Sequence, residues 1–353
     1  MQLSNDELKR YNRHIILQEI GKVGQEKLKS AKVLVAGCGG LGCPVLLYLA
    51  AAGIGNLGLV DFDTVSESNL QRQILYSAED IGKSKVAVAK QKLEKQNPFI
   101  NVNAYNLKLD KTNVLDLLNN YDIIVDGTDN FSSRYLLNDA CVMLGKPLVS
   151  GSVFKFEGQV TVFNFQDGPT YRCLYPEPPA PGEMPSCNDI GVVGVIPGII
   201  GLLQANEVIK IMIGAGEILS GKLLTIDALS MQFNLFSFET DSKNKTIETL
   251  KEYDELCGLN IKEITKDELQ QMIERKVNFQ LIDVREPDEY KEKNIGGELI
   301  PLKTLTDNIH RFSKDKTIIV HCRSGERSKK AIQILLQNGF QNVYNLKNGL
   351  QDF

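Results

Sequence analysis

The amino-acid sequence predicts an α/β protein: a doubly wound parallel sheet followed by a second, smaller α/β domain. Three observations predict it. The glycine-rich turn "GCGGLG" stands between an apolar strand, "AKVLVAG", and an apolar helix, "PVLLYLAAAG". Strand-like and helix-like stretches alternate through the first part of the chain, the mark of parallel strands joined by crossovers. The alternation then stops in a polar run near residues 243–261 and restarts beyond it.

In chain order, residues 5–30 read as one or two short polar helices. "AKVLVAG", the glycine turn, its helix and "NLGLVDFD" form a βαβ unit, whose crossover makes the two strands parallel. "NVNAYN", "YDIIVDGTD" and "PLVSGSV" continue the alternation, and "GQVTVFNF" and "GKLLTIDAL" add strands. From Pro169 to Pro185, "PTYRCLYPEPPAPGEMP" holds six of the twelve prolines, which predicts an extended loop that is neither helix nor central strand. Val192 to Gly214 is the most apolar segment, but it carries Gln204, Asn206, Glu207 and Lys210. It therefore reads as a buried helix rather than a membrane span. The polar run, 243–261, is the expected linker, giving domains 1–242 and 262–353. The second domain begins with a Thr-capped helix, "ITKDELQQMIE", then strand "FQLIDVR", strand and loop "TIIVHCRSGERS", helix "KKAIQILLQNG" and strand "VYNLKNG".

The totals narrow the function. A chain of 353 residues has room for two domains. A net charge of −4 gives no electrostatic footprint for nucleic acid or an anionic membrane. The charged start, "MQLSNDELKRYNRH", does not read as a signal peptide. Seven scattered cysteines are expected to be thiols in a reducing cytoplasm. Only His14, His310 and His321 are available for histidine-based catalysis.

Gly37, Gly39 and Gly42 fit G-x-G-x-x-G, a turn that sets backbone N–H groups against phosphate. Asp61, 19 residues after Gly42, suits a ribose hydroxyl, and to this point a dehydrogenase fits as well as anything. The next segments favour a nucleoside triphosphate. "DFDTVSESNLQRQ", "GKSKVAVAK" and "DGTDN" place Asn69, Arg72, Gln73, Lys85, Asp129 and Asn130 beyond strand ends, where an open parallel sheet forms its ligand crevice. Cations there neutralise polyphosphate, and Asp129 can hold magnesium.

"RYNRH", "GCGGLG", "LVDFDTVSESNLQRQ", "GKSK" and "DGTDN" together resemble the MoeB/ThiF family of the ubiquitin-activating-enzyme superfamily, over roughly residues 5–257. The resemblance implies a Rossmann-like, ATP-binding adenylation domain. It implies that Gly40, Asp61, Asp63, Ser68, Asn69, Leu70, Gln71, Arg72, Lys85, Asp129 and Asn130 bind ATP and magnesium, and that a homodimer forms in which Arg13 reaches the partner's nucleotide. It also implies the reaction: the C-terminal carboxylate of a small Gly-Gly-ended carrier attacks the α-phosphate of ATP. A carboxylate of pKa about 3.5 is already ionised and needs no general base, which suits the shortage of histidine. The requirement is alignment and charge stabilisation, from Arg72, Lys85, Arg13 and magnesium on Asp129.

In the second domain, Cys322 ends an apolar strand and precedes a helix, so loop N–H groups and the helix N-terminus favour a thiolate. Arg323, Ser324, Gly325, Glu326 and Arg327 complete the loop. A cysteine-phosphatase loop holds one residue more between its Cys and Arg than the four found here. With "LIDVREPDEY" and "NLKNGLQDF", the tighter ring resembles a rhodanese domain, whose loop carries a persulfide; Phe353 stands where that family often has Trp. Asp283 and Arg285 read as a buried structural ion pair.

The resemblance gives Cys187 either attack on the acyl group or a disulfide with Cys322 that resolves an acyl-persulfide, with a structural packing role as the alternative. Cys38, Cys43 and Cys141 read as packing residues. Structural zinc, usual in the family, is doubtful: its two C-x-x-C pairs read here as "TYRC" (Thr170, Cys173) and "DELC" (Asp254, Cys257), and Thr is a poor zinc ligand. No zinc is expected.

The combined expectation is a cytoplasmic, homodimeric, ATP-dependent adenylyltransferase for a Gly-Gly-ended ubiquitin-like sulfur carrier, with sulfur transfer from a Cys322 persulfide giving a thiocarboxylate. The carrier implied first is the small subunit of molybdopterin synthase, and the thiamine sulfur carrier is the close alternative. The sulfur donor is a cysteine desulfurase or thiosulfate. A ubiquitin-like-modifier activating enzyme forming a thioester at Cys187 is the rival, and no nucleic-acid or membrane partner is expected.

Overall fold

The computed structural model describes residues 1–178, 191–253, 261–351 and 353. Their contacts divide them into two units, 1–178 with 191–253 and 261–353.

In the first unit, three helices precede the sheet: α1 (Asn5–Arg10), α2 (Asn12–Ile15) and α3 (Gly21–Ser30). Ser4 starts α1 with a reciprocal cap, its hydroxyl accepting from the Glu7 N–H at 3.2 Å while Glu7 accepts from the Ser4 N–H at 2.8 Å. The strands are β1 (Lys32–Ala36), β2 (Asn56–Val60), β3 (Asn101–Tyr105), β4 (Ile123–Asp126), β5 (Leu148–Phe154), β6 (Glu157–Phe163), β7 (Lys222–Asp227) and β8 (Gln232–Ser237). Their order is β3-β2-β1-β4-β5-β6-β7-β8. The first five are parallel, and β6, β7 and β8 are antiparallel additions. In β1, Val33 to Ala36 are all fully buried, as an unbroken apolar run requires of a strand covered on both faces. The order reverses between β1 and β4, and in such a sheet the ligand crevice opens there, at the carboxyl ends.

The crossover helices are α4 (Gly42–Ala52), α5 (Lys85–Gln96), α6 (Val114–Asn119) and α7 (Phe131–Leu144). Short α8 (Tyr171–Leu174) and long α9 (Val195–Ile213) follow. Helix α9 is long and apolar enough to cross a membrane. Here its polar residues tie it to the sheet. Gln204 donates to the carbonyls of Asp126 and Val149 at 2.7 and 3.2 Å, and Glu207 accepts from the Leu219 N–H at 2.9 Å.

Two expectations need correction. The proline-rich stretch is not helix-free: α8 fits between Pro169 and Pro176, where Thr170 caps a turn with no internal proline. Residues 243–253, inside the expected linker, pack on the first unit. Tyr253 is buried, and its hydroxyl donates to Asp139 at 2.6 Å, while Arg172 clasps the same carboxylate at 2.7 and 2.8 Å.

The second unit is a five-stranded parallel sheet of β9 (Glu263–Ile264), β10 (Phe279–Asp283), β11 (Glu298–Leu299), β12 (Thr317–His321) and β13 (Val343–Leu346), ordered β11-β10-β12-β13-β9. Helices α10 (Lys266–Glu274), α11 (Pro287–Glu292) and α12 (Glu326–Gln337) accompany it. Its core gathers Ile282, Ile318, Val320, Ile332 and Leu335. Thr265 caps α10 with Glu268, as the sequence signals. Asp283 and Arg285 form a buried pair with contacts of 2.6 to 3.0 Å.

Candidate functional site

The first centre is a solvent-open crevice at the carboxyl ends of β1, β2 and β4. Its floor is the glycine turn. Gly37 has φ +91°, and a side chain there would meet the Gly127 carbonyl oxygen at 2.6 Å. A methyl on Gly42 would stand 2.0 Å from the Gly37 oxygen. The turn therefore closes only with hydrogen at both positions. Asp61 locks it to β2, since its carboxylate accepts from the Cys38 N–H and the Asp63 N–H, both at 2.8 Å. Further lone pairs remain on those oxygens for ribose hydroxyls.

Lys85 begins α5, nearly buried, with its ammonium 2.8 Å from Asp63. Arg72 is held by the Ser68 carbonyl at 3.1 Å. Asp129 is exposed on the crevice wall. It does not cap α7; Asn130 does, accepting from the Ser133 N–H at 2.9 Å. Buried Asp126 shapes this corner by accepting from the Thr128 N–H at 3.0 Å and the Thr128 hydroxyl at 2.7 Å. Burial raises the Asp126 carboxyl above the usual range, against the opposing pull of Arg134.

The crevice thus brings together Gly40, Asp61, Asp63, Arg72, Lys85, Asp129 and Asn130. Ser68, Asn69, Leu70 and Gln71 are not on its lining. They build the turn that carries Arg72, with Asn69 accepting from the Ser66 N–H at 3.3 Å. Arg13 is exposed on α2 and also lies off the lining. Sequence reasoning missed Arg134 and Lys108, both on the lining. Arg134 follows the Asn130 cap by one turn, which puts it on the same helix face, and Lys108 lies just past the end of β3. Cys38, Cys43 and Cys141 are buried, and burial pushes the Cys43 thiol up to about 12.

The second centre is the loop after β12. Cys322 is 1 % exposed; its sulfur accepts from the Gly325 N–H at 3.2 Å and lies 3.5 Å from the Ser328 hydroxyl oxygen. Gly325 has φ +92°, which turns its N–H inward. Arg323 and Ser324 are exposed. Arg327 forms two 2.6 Å bonds to Glu289 of α11, which hold that carboxyl down to about 2. His321 is buried with Nδ1 3.9 Å from Asp283, and burial lowers its imidazole against the pull of that carboxylate.

Cys187, Asp254 and Cys257 lie outside the described residues. Cys173 is hydrogen-bonded rather than free: its sulfur accepts from the N–H groups of Thr170 and Asp241, each at 3.3 Å. Among the described residues no cluster of three His, Cys, Asp or Glu side chains could hold a metal.

Residues 11–249 match the ThiF family and residues 265–353 match the rhodanese-like domain. A probable adenylyltransferase/sulfurtransferase MoeZ of Mycobacterium tuberculosis is 42% identical, over 99% of this chain and 93% of its own length. A sulfur carrier protein adenylyltransferase of Thermus thermophilus is 46% identical, over 73% of this chain and all of its own. An adenylyltransferase and sulfurtransferase MOCS3 of Aedes aegypti is 40% identical, over 95% and 83%. Among solved structures, E. coli MccB with AMPCPP and MccA superimposes with a TM-score of 0.56 at 27% identity, covering 62% of this chain and 66% of that one.

Proposed function

The chain belongs to the ThiF family, carries a rhodanese-like domain at its C-terminal end and is an adenylyltransferase and sulfurtransferase; we propose that it activates a small Gly-Gly-ended sulfur carrier and gives it sulfur from Cys322. The observation that carries this reading is the pairing, in one chain, of a phosphate-cradling crevice with a sulfur-cradling loop.

In the crevice, the carrier carboxylate attacks the α-phosphate of ATP, and pyrophosphate leaves. Arg72 and Lys85 oppose the charge that develops, while Asp61 receives the ribose. The carboxylate of Asp129 fits a hard divalent cation, which takes oxygen ligands; magnesium, when bound, offsets phosphate charge. Arg13 completes the site across a homodimer.

The terminal sulfur of a Cys322 persulfide then attacks the acyl carbon, and AMP leaves. The resulting acyl-persulfide is cleaved by the Cys187 thiol: the carrier departs as a thiocarboxylate, and Cys187 and Cys322 are left as a disulfide for cellular thiols to reduce. The carrier body rests on the exposed apolar face of the added strands. Val153 of β5 lines the crevice, and through the register of β5, β6, β7 and β8 it shares a face with Phe233 and Leu235 of β8, both exposed. The first carrier to test is the small subunit of molybdopterin synthase, then the thiamine sulfur carrier.

Mass spectrometry tests the reading. Each carrier is incubated with the protein, MgATP and thiosulfate, beside a Cys322→Ala variant. Exchange of one oxygen for sulfur, only with Cys322 intact, is expected. Adenylation without sulfur gain in the wild type overturns the second step and favours a thioester at Cys187.

A further inference from the structure

The sulfur of Cys322 touches a side chain that the reaction above does not use. Ser328, fully buried on the first turns of α12, has its hydroxyl oxygen 3.5 Å from Sγ, 2.9 Å from the Gly325 carbonyl and 2.6 Å from Oδ1 of Asn345. A serine hydroxyl has one proton to donate, so these three acceptors compete for it. Asn345 is also fully buried, and the other end of its amide lies 3.2 Å from the Glu263 carboxylate across the β13–β9 pair. A carboxylate accepts only, so that end is the NH2. Oδ1 therefore faces Ser328, and the proton in the 2.6 Å contact belongs to the serine.

We infer that Ser328 is a catalytic residue of sulfur transfer: its hydroxyl donates to Asn345 while the Cys322 sulfur is neutral and turns to donate to that sulfur when it is anionic, with Asn345 and Glu263 as positioning residues. A rotation about one C–O bond changes the acceptor, and nothing in the packing moves. A charged acceptor wins such a competition because hydrogen bonds to ionised groups are the stronger ones.

The inference rests on the persulfide reading of Cys322. With thiosulfate as donor, the thiolate attacks the outer sulfur, an S–S bond forms to Cys322, and the S–S bond of thiosulfate breaks as sulfite leaves with its electron pair. The anionic charge then sits on the outer sulfur. Cyanide takes that sulfur as thiocyanate, and the electron pair returns to Sγ. The inner sulfur is thus an anion at the start and end of each turnover, the two moments at which Ser328 acts.

Other charged and titratable groups surround the loop: Arg323 and Arg327, Glu289 paired with Arg327, Asp283, Arg285 and His321 beneath it, and Glu263 with Lys329 at the outer end of the relay. Their influence is common to the wild type and a Ser328 variant, so the difference between the two isolates the hydroxyl.

The test is thiosulfate-to-cyanide sulfur transfer by the full-length chain between pH 5.5 and 9.5, with Ser328→Ala, Ser328→Thr and Cys322→Ala, each also melted. Ser328→Ala is expected to lower kcat/KM about tenfold at pH 6.5 and to approach the wild type above pH 9, which displaces the rising limb to higher pH. Ser328→Thr restores the limb. A Ser328→Ala profile parallel to the wild type at every pH, or a Thr variant no better than Ala, overturns the inference even if melting temperatures fall. Transfer that persists in Cys322→Ala, or is absent from the wild type, refutes instead the persulfide reading beneath it.

Discussion

Replacing Gly42 with Ala separates the geometry of the glycine turn from its composition. The new methyl would lie 2.0 Å from the Gly37 carbonyl oxygen and 2.9 Å from its carbon. Both are backbone atoms, and no rotamer relieves the clash. The Gly37 N–H is itself fixed to the Val60 carbonyl at 2.8 Å, so either the start of α4 or the turn must shift by about 1 Å to reach ordinary contact. Overpacking of this kind costs about 1–3 kcal/mol, and for a unit of this size each kcal/mol lowers Tm by about 2–4 °C. A 1 Å displacement of the N–H groups also costs about 100-fold in rate. Gly39 is the control: a methyl there meets only Nε2 of Gln73, at 3.6 Å, so Gly39→Ala should melt within about 2 °C of the wild type, as uncongested substitutions do. The assays are thermal melts and carrier-dependent ATP–pyrophosphate exchange. A Gly42→Ala protein with wild-type melting and exchange, or a Gly39→Ala protein that melts as low as Gly42→Ala, would refute the steric argument.

Further expectations concern each unit separately. Arg72→Ala and Asp129→Ala should each reduce carrier-dependent pyrophosphate exchange by about 100-fold or more while thiosulfate-to-cyanide transfer is unchanged; loss of both activities together would count against two separate centres. Tyr253→Phe removes a 2.6 Å bond to a buried carboxylate and should destabilise the first unit by about 1–3 kcal/mol, read from urea unfolding; no change would mean that the Arg172 clasp alone suffices. The imidazole of His321 is depressed in the folded state, so the unfolded chain binds the extra proton. The stability this gives is present above the unfolded value near 6.5 and is lost as pH falls below it, with a slope of at most about 1.4 kcal/mol per pH unit. Protection of β12 amides in the full chain, corrected for intrinsic exchange, should fall from pH 7 to pH 5 in the wild type and stay flatter in His321→Gln.

What the sequence made legible follows from how local each signal was. β1, β2, β4, β5, β10 and β12 are apolar runs bounded by turn residues, and their periodicity fixes them without help from distant parts. β8 escaped because Gln232 to Ser237 is exposed throughout, so its pattern records no burial. β9 and β11 are two residues each and exist only as partners of longer strands. At the first centre, the glycines, Asp61, Lys85 and Asp129 were readable because each lies close to a strand end or a helix start, and Arg72 because it follows β2 within one polar connection. The roles of Ser68, Leu70 and Gln71 came from resemblance and that of Asn69 from its position, and the turn they form presents Arg72 rather than themselves. Arg134 and the Ser328–Asn345–Glu263 relay depend on which helix face or neighbouring strand meets the site, information that spacing along the chain does not carry.

The apolar outer strand has a consequence for the protein's life in a crowded compartment. Among the described residues β8 is the last strand of its sheet, so one side of its backbone meets no other described strand, and Phe233, Leu235 and Phe236 stand more than half exposed beside it. Such an edge is a template on which another copy can add a strand. A carrier seated there would shield it and would raise the apparent stability of the enzyme by mass action. The abundance of the substrate protein would then set how much of its activating enzyme stays dispersed, and a cell short of carrier would lose the enzyme to aggregation before it lost the chemistry.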